Sequence, residues 1–310
     1  MTLRLGTRKS ELALAQSGMM ARAIGPDVEL VGVTTEGDRL VDVPLSGQLS
    51  KGFFTEALEA GLRDGSLDLA VHSLKDLPLE QPPGLILGAI PPRESLADLL
   101  LVREEAWDPS APVLPLRSGA KVGAASERRQ WLLRTLRPDC DPAFLRGNVP
   151  TRVGRLREGR YDAIVLAEAG VRRLGLSLDG LRVARLLPEH WPNAAGQGAL
   201  ALQCRADDIG TRARLAGLND PATAHAVETE RRWLGALGGG CSVPFGAAVW
   251  AGGWAIGLAV PGQNAAFRIR RGVALEEGDE ALRALLAGDP GEGWPASTGS
   301  ERPVWEVWNG

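Results

Sequence analysis

The chain predicts an α/β fold of two tandem units followed by a small α+β domain. Three observations carry that class. Short apolar runs alternate with amphipathic helical stretches over the first ninety residues, the alternation restarts after a proline-rich stretch at 104–119, and period-two patterning replaces it beyond Cys241.

The elements follow in order. "LRLGT" (3–7) reads as a strand that turns into a helix capped near Thr7 or Ser10, with Leu12, Ala15 and Met19 on one face. "VELVGVTT" (28–35) is β-rich, "FFTEALEAGLRD" (53–64) helical, and "LDLAVHS" (67–73) and "LILGAI" (85–90) are strands. After the Pro-Pro break in "AIPPRESLADLLLV" and the loop at 104–119 come "AKVGAA" (strand), "SERRQWLLRTL" (helix), "AFLRG" (strand), "TRVGRLREG" (helix) and "YDAIVLA" (strand). The strand "GALALQC" and helix "DIGTRARLAGL", from 198 on, suit either unit, and residues 220–237 form a long helix with Asp220 as N-cap and Pro221 at its first position. "FGAAVWA", "GWAIGLAV" and "FRIRRGVAL" then read as strands, "DEALRALLAG" as a helix, and the last stretch as loop or frayed tail. The expected domains are 1–91 with 198–218, 97–193, and 220–310.

Composition narrows the function classes. At 310 residues, 44% hydrophobic and 24% charged, the chain has the makeup of a globular protein able to bury several cores. No apolar run approaches the roughly 20 residues of a membrane-spanning helix, and "MTLRLGTRKSELALAQ" lacks a signal-peptide core, so a cytoplasmic protein is expected. A net charge of −3 argues against a nucleic-acid partner. Cys140, Cys204 and Cys241 suggest neither a disulfide framework nor a metal site; Cys140 reads as an exposed loop thiol and Cys204 as a core thiol.

Of the 35 cationic residues, 31 are arginine. Arginine binds carboxylates and phosphates through a planar fork that lysine does not reproduce. A GC-rich genome would by itself favour arginine codons over lysine codons throughout, so position decides. Arg8 and Ser10 in "GTRKS", Ser126, Arg128 and Arg129 in "GAASERRQ", and Arg146 and Arg152 in "LRGNVPTR" all fall at strand-to-helix junctions. Helix N-termini favour anions there, and cations on them oppose the macrodipole unless an anion is supplied. Arg172 and Arg173, and Gln197 in the glycine-rich "AGQGAL", extend the set. Together they describe a cleft for a ligand with many carboxylates or phosphates. Neither GxxxxGK[ST] nor GxGxxG occurs, so no nucleotide fingerprint explains it.

Two further features are chemical. "HSLKDLP" (72–78) follows a strand, where α/β sheets place ligand-binding groups; Lys75 and Asp76 are there either a solvated pair or a carboxylate held against a positively charged intermediate. "GGGCSVPFG" (238–246) puts Cys241 on a permissive backbone open to close approach, unlike a packed structural cysteine.

These segments in order, "GTRKS", "TEGD", "KGFF", "AVHSLKDLP", "RRQ", "LRGNV", "YDAI", "RLGL", "AGQGAL" and "GGGCSVPFG", span residues 3 to 246 and resemble the porphobilinogen deaminase (hydroxymethylbilane synthase) family. The resemblance implies two domains like type II periplasmic binding proteins and a third bearing a covalent dipyrromethane cofactor on Cys241. It implies a transferase that adds four porphobilinogen units head to tail, releases ammonia and yields hydroxymethylbilane for tetrapyrrole and haem biosynthesis. Asp76 takes the family's catalytic carboxylate position. Arg8, Ser10, Lys51, Lys75, Ser126, Arg128, Arg129, Arg146, Arg152, Arg173 and Gln197 fall to cofactor or substrate binding, with Lys51 and Phe54 on a covering segment. A monomer without metal, nucleic-acid or membrane partners follows. The chain departs from the pattern at Leu49-Ser50 and at Ala124-Ala125, where relatives commonly carry glycines and hydroxyl residues. A non-catalytic cytoplasmic anion-binding module would explain the arginines but neither Asp76 nor Cys241.

Overall fold

The computed structural model describes residues 2–34, 55–111, 113–238, 244–260, 266–288, 304–308 and 310. The chain divides into two compact units: Met1–Ser95 with Gly196–Arg231, and Leu96–Ala195 with Arg232–Gly310.

The first unit opens with β1 (Leu3–Arg8), α1 (Glu11–Ile24), β2 (Val28–Val33), α2 (Glu56–Arg63), β3 (Leu69–Ser73) and β4 (Leu85–Ala89). The chain then enters the second unit with β5 (Asp98–Arg103), β6 (Lys121–Ala124), α3 (Glu127–Leu136), β7 (Asp141–Phe144), α4 (Val149–Arg157), β8 (Ala163–Ala167), α5 (Glu168–Leu174) and β9 (Leu181–Leu186). It returns to the first with β10 (Leu200–Arg205), α6 (Ile209–Ala216) and α7 (Pro221–Gly235), the helix along which the unit assignment changes. Last come β11 (Phe245–Trp250), β12 (Gly253–Val260), β13 (Ala266–Gly272), α8 (Glu276–Leu286) and β14 (Trp305–Val307).

The two large sheets share one topology. The first runs β2-β1-β3-β10-β4; the second, read from the other edge, runs β7-β6-β8-β5-β9-β14. In each, three parallel strands are followed by one antiparallel to both its neighbours, β10 or β5. That inserted strand is in both cases the first after the chain changes unit. The tandem α/β class expected from the sequence is what the structure shows, with the antiparallel meander β11-β12-β13 of the period-two region beside α8.

Burial follows the pattern that predicted the elements. Leu5, Leu69, Leu202 and Cys204 lie in one core of the first unit, with Leu58 and Leu62 of α2 in another. In the second unit Leu100, Val102, Val122 and Val165 face a core that also takes Leu132 and Leu133 of α3. Leu99, Leu101, Ile164 and Leu166 face the other side, against Val153 and Leu156 of α4. A sheet covered on both faces gives the near-continuous apolar runs seen in β5 and β8. Cys204 is a core thiol as expected, whereas Cys140 is half-buried rather than exposed.

Candidate functional site

In the first unit, Arg8 closes β1 and Ser73 closes β3, and because these strands are parallel both carboxyl ends lie at one edge of the sheet. Open α/β sheets bind ligands beyond that edge. Ser10 caps α1, its side chain accepting from the N–H of Ala13 at 3.4 Å, which leaves its hydroxyl proton to donate elsewhere. A single 3₁₀ turn, Leu74–Asp76, leaves Lys75 half-buried and Asp76 exposed.

This turn is fastened to the glycine-rich segment that precedes β10. The N–H of Leu74 donates to the Ala199 carbonyl at 3.0 Å, and Lys75 Nζ donates to Oε1 of the fully buried Gln197 at 3.4 Å. Gly196 and Gly198 make the approach possible: both have positive φ (+76° and +84°), and a Cβ on Gly198 would stand 2.4 Å from the Ser95 carbonyl oxygen.

Behind the turn runs a chain of polar groups whose direction is set at one end. Gln81 Nε2 donates to the Pro78 carbonyl at 3.4 Å, Gln203 Nε2 donates to Gln81 Oε1 at 2.9 Å, and Gln203 Oε1 faces His72 Nε2 at 3.1 Å. A carbonyl only accepts, so each amide orientation follows, and His72 carries its proton on Nε2. Burial, and secondarily the Arg8 charge, hold the His72 pKa down to about 4 against the Gln203 hydrogen bond, so the ring is neutral.

In the second unit the parallel strands β6, β7 and β8 end beside one another, and each end leads into a helix start. Ser126 caps α3 by accepting from the Arg129 N–H at 3.3 Å. Asn148 caps α4, accepting from the Thr151 N–H at 2.9 Å, and Arg152 Nε donates to the Gly147 carbonyl at 2.7 Å. Arg146 is half-buried, its guanidinium 5.1 Å from the centroid of the Phe144 ring. Arg173 is half-buried on α5, a helix the sequence reading did not assign.

Arg128 and Arg129 are buried, and the anion at this helix start comes from the chain itself. Arg129 donates to Asp98 through Nε at 2.9 Å and Nη2 at 2.6 Å, and Arg128 through Nη2 at 3.2 Å. Trp191 Nε1 adds a fourth bond at 2.8 Å. Burial alone would raise the Asp98 pKa; the charges of Arg129 and Arg128 outweigh it and hold the carboxyl well below its usual range. Burial lowers Arg128 to about 10, with Asp98 opposing that shift and Arg129 adding to it.

Asp98 and Trp191 were not singled out from the sequence. The available signal was a carboxylate at the head of the apolar run "ADLLLV", where β5 begins. Lys51, Phe54, Cys241 and the Leu49-Ser50 departure lie outside the described residues. Among the described residues no cluster of His, Cys, Asp and Glu could hold a metal ion.

Comparison with known proteins decides the family. The model for "Porphobilinogen deaminase, dipyromethane cofactor binding domain" matches residues 3–213. The chain belongs to the porphobilinogen deaminase family. A porphobilinogen deaminase of Roseiflexus sp. (strain RS-1) is 45% identical over 79% of this chain and 80% of its own. That of Nitratidesulfovibrio vulgaris (strain DP4) is 44% identical over 92% of this chain and 87% of its own. Solved structures with looser likeness include the periplasmic VFT2 domain of Bordetella pertussis BvgS, 17% identical over 74% of this chain and 90% of that one with TM-score 0.40. The Salmonella typhimurium periplasmic binding protein STM4351 is 15% identical over 72% and 96%, with TM-score 0.36.

For a porphobilinogen deaminase, the residues present suit the dipyrromethane group. Among the described residues two buried guanidiniums share the Asp98 carboxylate, and a pyrrole bearing acetate and propionate offers the carboxylates that guanidiniums bind.

Proposed function

We propose that this protein is a hydroxymethylbilane synthase, a transferase that joins four porphobilinogen molecules head to tail and releases ammonia and hydroxymethylbilane for tetrapyrrole synthesis. The observation that carries this reading is the Asp76 carboxylate, exposed on the turn after β3 in a chain of the porphobilinogen deaminase family.

Asp76 has the chemistry the reaction needs. A carboxylate next to a pyrrole N–H stabilises positive charge on porphobilinogen as ammonia leaves, and again as the carbon–carbon bond forms, before assisting loss of the ring proton. Lys75, held by Gln197, places a cation one residue away from Asp76. Arg8 in the first unit and Arg146, Arg152 and Arg173 in the second are assigned to acetate and propionate groups, which bidentate guanidinium contacts suit. Ser10 and Ser126, which cap the helices at these junctions, are assigned to the same carboxylates, to which their hydroxyl protons donate.

Arg128, Arg129 and the Cys241 sulfur are assigned to hold the covalent dipyrromethane, which when bound would supply the primer for chain growth. Lys51 is assigned to the same ligand. Residues 97–193 and 220–310 are further proposed to be separate domains, and the protein to act as a cytoplasmic monomer; size-exclusion chromatography with light scattering tests the last point.

Intact mass tests the function. The purified protein should exceed its sequence mass by two linked pyrrole units, the Cys241→Ser variant should not, and porphobilinogen should be converted to hydroxymethylbilane. A bare mass together with no turnover after incubation with porphobilinogen would overturn the reading.

A further inference from the structure

Among the described residues Asp98 accepts four hydrogen bonds from three side chains, and each of these partners is also buried. Relative exposure is 0% for Asp98, 4% for Arg128, 6% for Arg129 and 0% for Trp191. Among the described residues the set carries two positive charges and one negative. Arg129 is fully oriented: its Nε and Nη2 clasp the carboxylate and its Nη1 donates to the Val165 carbonyl at 3.3 Å. Arg128 spends one N–H on Asp98 and one on the Pro192 carbonyl at 2.8 Å, two of the five that a guanidinium offers.

We propose that Asp98 is a positioning residue for the pyrrole cofactor: it fixes the planes of Arg128 and Arg129 and cancels one of their two charges, so that the pair takes a single carboxylate, chiefly through Arg128. This rests on the function proposed above. Two adjacent guanidiniums with no shared anion repel each other and lose a common orientation. With Asp98 between them they form a preorganised receptor of net charge +1. A ligand carboxylate is then the second anion rather than the first, and it meets donors already in place.

The test is Asp98→Asn, which keeps the shape and removes the charge. Native mass spectrometry counts the cofactor-bearing fraction among folded molecules, so a change in stability alone does not enter the readout. We expect that fraction to fall at least tenfold. The unloaded variant, with two uncancelled cations, should gain several degrees in Tm from 50 mM phosphate, while the wild type gains about one degree or less. Full loading of Asp98→Asn with a wild-type phosphate response would overturn the proposal and leave Asp98 a purely structural residue. Should Asp98→Asn not fold, Trp191→Phe removes one bond to Oδ2 without altering charge. Its loaded fraction should fall two- to fivefold, and wild-type loading would overturn the proposal. A wild-type protein that itself lacks the two-pyrrole mass would count against the function, and the phosphate comparison would still read the role of Asp98.

Discussion

Arg93 grips Glu230 with both ends of its guanidinium, Nη1 to Oε1 at 2.7 Å and Nη2 to Oε2 at 2.9 Å, with the side chains 9% and 0% exposed. The pair also holds the glycine-rich turn: Arg93 Nε donates to the Gln197 carbonyl at 2.7 Å, and Glu230 Oε2 accepts the Gly196 N–H at 2.7 Å. Removing one member strands a buried charge, which costs about 3–5 kcal/mol. Glu230→Ala should therefore lower the urea-unfolding free energy by that amount, and Arg93→Ala by a similar one. A loss under about 1 kcal/mol would show that the pair is dispensable.

Gly198 sets the same turn by backbone alone. At φ +84°, with the Ser95 and Glu94 carbonyl oxygens 2.4 and 2.6 Å from where a Cβ would sit, alanine cannot be accommodated without moving main chain. Gly198→Ala should cost at least about 2 kcal/mol and raise KM for porphobilinogen, because Gln197 and Lys75 move with the turn. Chemical denaturation and steady-state kinetics on the same preparation check both parts.

Much of the architecture was legible because apolar runs and helix caps are local signals. β1, β3, α1 and α3 lie where the pattern puts them, and of the two cap candidates for α1, Thr7 and Ser10, it is Ser10 that caps. β5, β9 and α5 were missed for physical reasons. β5 follows a Pro-Pro break that reads as loop, β9 carries arginines at 182 and 185, and α5 has seven residues, too few for a helical period to register. β14 falls in the stretch read as frayed tail; its three residues are held by pairing with β9, which local composition does not encode. The candidate groups showed as residue types at junctions. Their partners did not, since Asp98 and Arg129 are 31 residues apart and Lys75 and Gln197 are 122 apart.

His72 predicts a pH dependence with a definite sign. Its folded pKa, about 4, lies below the ordinary imidazole value of 6.5, so between these values the unfolded chain binds the extra proton. Stability from this group is present above pH 6.5 and is lost as pH falls toward 4, amounting to about 2 kcal/mol between pH 7 and pH 5. His72→Gln, which can still bond Gln203, should remove that part of the slope. Urea unfolding of both proteins at the two pH values measures the difference, and equal slopes would contradict it.

Asp76 separates chemistry from folding. Because it is exposed on its turn, Asp76→Asn should change stability by less than about 0.5 kcal/mol. Turnover should fall by about 10² to 10⁴, the range for loss of a positioned acid–base group. Circular dichroism and single-turnover rates on the cofactor-loaded protein check the two halves, and a kcat within tenfold of wild type would rule out Asp76 as the catalytic carboxylate.

Trp308 ties β14 into the second unit from beyond its last residue. Its Nε1 donates at 2.9 Å to Oε1 of Glu168, a fully buried carboxylate that also accepts from Arg172 Nε at 2.8 Å and, through Oε2, from Arg185 Nε at 2.9 Å. Arg185 in turn pairs with Glu306 at 2.8 Å, so two residues of the terminal segment converge on one buried charge. Trp308→Phe keeps an aromatic side chain, though a smaller one, and deletes a bond to an ionised acceptor, a loss of about 1.5–3 kcal/mol. Glu168 opens α5, the helix that carries Arg173, so the same variant should loosen α5 before it unfolds the sheet. Hydrogen exchange should therefore rise at residues 168–174 while amides of β5 and β8 stay protected. Unchanged exchange in α5 would mean that the terminal segment only covers a sheet edge.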